Sequence, residues 1–156
     1  GLQLVGTAAQ KAKYLPSLAS GEKIAAFCLA EVSSGSTSTQ SQTRAILSPD
    51  SKHYILNGRK AWVVNGSRAD VFTVFALTSV SNEKGEKEDK LSAFLVERGF
   101  EGTIEAHLPL ERTGLRGLDL VDVTFKDVRI PVENVLGALG SGTEVSFLSI
   151  KDFSPP

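Results

Sequence analysis

The sequence predicts a mainly β protein, a barrel or sandwich flanked by short helical segments. Three observations carry this. Short runs rich in β-branched and aromatic residues recur along the chain: Ile24–Ala30, Gln42–Leu47, Arg59–Val64, Val71–Leu77 and Leu91–Val96. Turn formers separate them, as at Ser48-Pro49-Asp50-Ser51 and Asn57-Gly58. Helix-like stretches occur only near the two ends. With 156 residues, 41% of them hydrophobic, the chain has enough apolar material for one core.

Taken in order, Thr7-Ala8-Ala9-Gln10 fits a capping box, and the helix it opens is expected to stop near Leu15, before Pro16. Gly21 releases the chain into the first strand, Ile24–Ala30. Gln42–Leu47 follows, then the Ser48–Ser51 turn. Tyr54-Ile55-Leu56 and Arg59–Val64 flank Asn57-Gly58, and this pattern predicts a tight hairpin. Val71–Leu77 is a continuous apolar strand. Glu83–Lys90 alternates charge around Gly85 and reads as a solvated hairpin loop, after which Leu91–Val96 returns. Thr103–Leu108 is a weaker strand. Leu120–Phe125 alternates cleanly and is expected to end at Lys126-Asp127. Gly137–Gly142 reads as a hinge into a helix over Thr143–Ile150, since it lacks the Lys-Ser/Thr of a phosphate loop.

The totals exclude several functions. Seventeen basic against eighteen acidic residues give a net charge of −1, so nothing points to nucleic acid or an anionic membrane. The one cysteine, Cys28, excludes an internal disulfide and a multi-cysteine metal site, and its apolar strand makes it a small buried hydrophobe. His53 and His107 stand in different strands, and no H-E-x-x-H, C-x-x-C or G-x-S-x-G occurs. No metal ligands are assigned. The absence of any methionine suggests a piece of a longer protein.

The informative stretch is Phe27-Cys28-Leu29-Ala30-Glu31-Val32-Ser33-Ser34-Gly35-Ser36-Thr37. An apolar strand feeds a loop of small hydroxylic residues. Backbone N–H groups, short hydroxyls and a glycine let such a loop approach a phosphate or a flat cofactor. The stretch resembles the flavin-loop signature of the acyl-CoA dehydrogenases, F-C-L-T-E-P-x-S-G-S-D. Lys60-Ala61-Trp62-Val63-Val64-Asn65-Gly66 is similar to that family's K-x-W-I-[ST]-N-G. Arg112-Thr113-Gly114-Leu115-Arg116-Gly117 and the block from Val123 to Gly137 resemble two further motifs, in the same order and spacing. The likeness runs over roughly residues 1–142 and is strongest to the very-long-chain branch and its mitochondrial relative linked to complex I assembly.

The resemblance implies the β-barrel middle domain of such an enzyme over residues 23–137. Residues 1–22 would be the tail of an N-terminal helical domain, and 138–156 the start of a C-terminal helical segment with an atypical end. It implies FAD as cofactor, fatty acyl-CoA as substrate, electron-transfer flavoprotein as electron acceptor, homodimers when full length, and a mitochondrial address. Carried over by position, Phe27, Leu29 and Ala30 would border the flavin ring, Ser36 would bond the pyrophosphate and lie near the substrate's CoA end, and Trp62 and Val64 would pack beside the ring. No catalytic residue falls in this chain, because the family's glutamate base belongs to the C-terminal helical domain; Glu31 reads as structural. Ala30 and Val64 stand where the family carries hydroxyls, and Val32 and Thr37 replace its Pro and Asp. Leu118 and Leu120 replace small polar residues. These departures point to weaker flavin binding or, as the alternative, to a non-catalytic assembly module.

Overall fold

In the computed structural model, which describes residues 1–33, 41–82, 84–107 and 112–151, eight strands form one mixed sheet. The elements are α1 (Leu2–Val5), α2 (Ala8–Ala19), β1 (Ala25–Cys28), β2 (Arg44–Leu47), β3 (His53–Val64), β4 (Val71–Ser81), β5 (Lys87–Glu97), β6 (Thr103–Ala106), β7 (Leu120–Pro131), β8 (Val135–Leu136) and α3 (Gly142–Lys151). The hydrogen-bonded order is β6-β7-β3-β2-β4-β5-β8, with β1 also on β4. One face of β1, β2, β3, β4, β5 and β7 converges on a single cluster that includes Cys28, Leu56, Phe72, Phe94, Val123 and Phe125. Side chains from so many strands meet only if the sheet curls around them, so the barrel expectation holds.

β4 and β5 read as continuous apolar runs because both their faces are covered. Phe72, Val74, Phe94 and Val96 point into the barrel, whereas Val71, Phe75, Leu91, Ala93 and Leu95 form a second, outer cluster with Tyr14, Leu136 and Val145. The helices supply this outer cover. The capping box at Thr7 and Gln10 forms, and the Gln10 amide also donates to the carbonyls of Glu133 and Val135, at 2.7 and 2.8 Å. Tyr14 is buried; its hydroxyl donates to Glu97 at 2.7 Å and accepts from Asn134 at 2.8 Å.

The structure corrects several boundaries. The helix opened by the capping box, α2, does not stop near Leu15 but runs to Ala19 with Pro16 inside it. Tyr14 on one side of the proline and Leu18 on the other are both held against the outer cluster, so tertiary packing overrides the lost hydrogen bond. Asn57-Gly58 is no hairpin. β3 runs through it, and β7 runs through Lys126-Asp127, because the two breaks face one another as a bulge between the pairs Leu56–Val128 and Gly58–Phe125. Asp127 takes the positive φ of 51°, and Asn57 holds it there by accepting from its N–H at 2.9 Å and donating to its carboxylate at 3.0 Å. Of the charged stretch over 83–90, Lys87–Lys90 belong to β5, so the connection is shorter than expected: β4 and β5 pair without a shift from Val71–Glu97 to Ser81–Lys87. The Asn82 side chain accepts from the N–H groups of Lys84 and Glu86 to close a short turn. β1, β2 and β6 are each shorter than expected; Leu108 lies outside the described residues.

Candidate cofactor site

β1 and β2 behave as one strand cut in two. Both pair parallel with the same edge of β4, Cys28 opposite Val74 and Arg44 opposite Leu77. The β4 residues between these two pairings, Phe75 and Ala76, separate the end of β1 from the start of β2. On the other side, β3 closes on both pieces: it pairs antiparallel with β2, and Ala61 N–H donates to the Ala30 carbonyl at 2.9 Å.

That last bond brings together the residues singled out in the sequence. Phe27 lies on the outer face of β1, opposite in phase to buried Ala26 and Cys28, and is 40% exposed. Its ring packs edge-on against Phe75, 5.1 Å between centroids, at the border of the helix-covered outer cluster. Leu29 leans into that cluster, and Ala30 is half-buried beside Ala61. Trp62 and Val64 stand on the outer face of β3, 52% and 41% exposed, on either side of buried Val63. Here the helix cover ends, and an apolar ledge faces outward. Ser36 lies outside the described residues.

Trp62 owes its position to a second bulge. Ala61 and Trp62 together oppose Asp122, between the pairs Lys60–Val123 and Val63–Val121, and Trp62 adopts φ 53°. The Asp122 carboxylate fills the gap, accepting from Trp62 N–H at 3.3 Å and from Arg59 at 2.8 Å. The turn after β3 is pinned as well: Ser67 donates twice to Asp119, and Arg98 donates to the carbonyls of Gly66 and Ala69.

Behind the ledge lies a group that the sequence reading left out, Lys60. Its side chain is wholly buried; Nζ donates to Glu31 Oε1 at 2.6 Å and to the Leu29 carbonyl at 3.2 Å. Glu31 also accepts from Ser41 Oγ, Gln42 N–H and Thr43 N–H, at 2.5, 2.7 and 3.3 Å. Burial alone would raise the Glu31 pKa, but the bonds from Lys60, Ser41 and Gln42 outweigh it and hold the carboxyl down at about 2. Burial pulls Lys60 below the usual lysine range against the pull of Glu31. A carboxylate so engaged is no general base, which agrees with the structural reading of Glu31. Lys60 was legible in one respect: it shares even phase with Tyr54 and Leu56 along β3 and so should point inward. Cys28 is fully buried, and its thiol is pushed up to about 12 by burial, so it is inert.

The face fits one side of a planar ring: apolar, partly aromatic and backed by a rigid sheet. At its edge, Ala30 and Val64 offer no side-chain donor, so hydrogen bonds to a ring rim there fall to the backbone.

Residues 26–128 match the family described as "Acyl-CoA dehydrogenase, middle domain", and the chain belongs to the acyl-CoA dehydrogenase family. It is 51% identical over 147 residues to the human mitochondrial very long-chain specific acyl-CoA dehydrogenase, a match covering 94% of this chain and 22% of that protein. The structure is similar to an acyl-CoA dehydrogenase from Bacillus anthracis complexed with FAD, with a TM-score of 0.83 and 38% identity over 94% of this chain and 24% of that one. Butyryl-CoA dehydrogenase from Megasphaera elsdenii gives 0.84 and 33%, over 96% and 37%. The chain thus spans about a fifth of the length of the human relative it matches.

Proposed function

We propose that this chain is the flavin-holding middle domain of an FAD-dependent dehydrogenase that oxidises long-chain fatty acyl-CoA to 2-enoyl-CoA in mitochondrial β-oxidation. The observation that carries the reading is the uncovered ledge of Phe27, Trp62 and Val64, joined across β1 and β3 by the Ala30–Ala61 bond. FAD bound there would accept the hydride removed from the thioester's β-carbon. The chain's own residues would do the holding. Phe27, Leu29 and Ala30 would border the ring, Trp62 and Val64 would pack beside it, and Ser36 would reach the pyrophosphate and the CoA end of the substrate. None of these groups takes the substrate's α-proton. Electron-transfer flavoprotein as acceptor, a mitochondrial address, homodimers of the full-length protein and the domain limits at 22 and 137 follow from the family likeness and belong to the same proposal.

Titration of the folded chain with FAD, followed by fluorescence of Trp62, tests it, since Trp62 is the one tryptophan. Saturable quenching at micromolar FAD, matched by calorimetric heat, is expected. A flat titration in both readouts removes FAD binding from this chain. If binding occurs, Ala30→Thr with Val64→Thr restores two donors and tightens it about thirtyfold, at ~1 kcal/mol for each of the two hydrogen bonds. An unchanged dissociation constant defeats the hydroxyl argument.

A further inference from the structure

We propose that the buried Lys60–Glu31 pair is a positioning device: it ties the foot at Leu29–Glu31 to the foot at Ser41–Thr43 and thereby sets the backbone on which the ledge is built. The consequence for a cofactor rests on the FAD reading above; the device itself does not.

The argument starts from the split strand. β1 ends at Cys28 and β2 begins at Arg44, yet the two stand only two β4 residues apart. At these two ends the backbone keeps the Ala61–Ala30 and Leu77–Thr43 bonds, and its remaining polar groups need other partners. Lys60 reaches the departing foot through the Leu29 carbonyl. Glu31 reaches the returning foot through Ser41, Gln42 and Thr43. The 2.6 Å contact between the two charges ties foot to foot.

No apolar pair can do this. Among the described residues, Ser41, Gln42, Thr43 and Lys60 all donate to the Glu31 carboxylate, and only an anion accepts them all. Replacing a buried ion pair by apolar residues of similar volume is often neutral for stability, so stability alone gives no reason for charges here. Geometry does. Lys60 is two residues from Trp62 and bonds next to Ala30, so one ammonium group fixes strand β1 and the loop against the bulge that presents the tryptophan. In that sense Lys60 and Glu31 are positioning residues; neither faces the ledge.

The test uses the double variant Glu31→Leu/Lys60→Met, which removes both charges at similar volume. Amide exchange is read at Ala61 and Leu77. Neither N–H bonds to the pair; each donates to a carbonyl at one foot, Ala61 to Ala30 at 2.9 Å and Leu77 to Thr43 at 2.8 Å. Protection at both amides is expected to fall at least ~10-fold, while Val74 and Phe94 in the β4–β5 ladder keep theirs. Unchanged protection at Ala61 and Leu77 overturns the proposal. Should the double variant not fold, Glu31→Gln, which keeps one acceptor oxygen, is read in the same way and is expected to show a smaller loss in the same order. A second arm measures FAD affinity. Where the parent chain binds FAD, the variant's dissociation constant should rise at least ~10-fold, and an equal constant overturns the positioning role. A parent chain that binds no FAD defeats the functional reading alone, and the exchange arm still decides the device.

Discussion

The β4–β5 half of the barrel and the β1–β3–β7 half are made from similar residues and do opposite things. β4 and β5 pair from Val71–Glu97 to Ser81–Lys87 with no shift, and their apolar residues are covered by the barrel interior on one face and by the helices on the other. β3 and β7 lose register twice, β1 and β2 pair with β4 as two separate strands, and Phe27, Trp62 and Val64 face outward uncovered. The regular half supplies stability and the irregular half supplies shape. Truncation should separate them most sharply. Phe94, fully buried and 5.2 Å from the Tyr54 ring, anchors the regular half. Phe94→Ala is expected to cost about 3–5 kcal/mol in denaturant unfolding. A loss under about 1 kcal/mol would mean that the two halves do not divide the labour in this way.

Acid strikes the other half. The folded Glu31 carboxyl is held at about 2, below its ordinary 4.5. A depressed carboxylate adds stability that is complete above the unfolded pKa and is lost as pH falls through the folded one. Between pH 5 and 2 Glu31 should therefore account for a loss of about 3 kcal/mol, by the shift converted at 1.36 kcal/mol per unit. Glu31→Gln starts less stable but should show a visibly shallower acid slope in urea titrations at stepped pH. Equal slopes would place the acid sensitivity elsewhere, with Glu97, half-buried and also depressed, as the next carboxylate.

This contrast also marks what the sequence could reveal. The regular half was legible: Val71–Leu77 and Leu91–Val96 are apolar runs of strand length, and they are strands. The motif residues were legible too, because Phe27 and Trp62 sit in stretches with family counterparts. What escaped was decided by pairing across long sequence distances. Asn57-Gly58 carries a local turn signal, but Lys126-Asp127, seventy residues away, meets it as a bulge. Pro16 carries a local stop signal, but Tyr14 and Leu18 hold the helix past it. Lys60 carries no local signal of its task, because its partner Glu31 is 29 residues away and only the split strand brings them together.

The Asn57 bulge offers a smaller test. Its side chain makes two exposed hydrogen bonds to Asp127, and Gly58 lies so close to Thr43 that a Cβ there would sit 2.4 Å from the hydroxyl. Asn57→Ala removes both bonds and leaves Asp127 in its positive-φ conformation without support. The expected cost is about 1 kcal/mol, measured by thermal unfolding. The FAD titration should be nearly unaffected, since this bulge is not the one that presents Trp62. A larger effect on FAD than on stability would show the two bulges to be coupled.

Trp62 gives the smallest expected change in stability and the most telling one. Its side chain is half exposed, so deleting it gives up only part of the burial that an aromatic core residue would lose. Its backbone sits at φ 53°, which costs an L-residue roughly 1–2 kcal/mol and a glycine almost nothing. The two effects oppose each other in Trp62→Gly, and unfolding free energy should stay within about 1 kcal/mol of the parent. A large residue held in a strained conformation on a half-open face, for no net stability, is held there for what it faces. If Trp62→Gly instead destabilises by as much as Phe94→Ala, the tryptophan is a packing residue, and the ledge loses its claim to be a site.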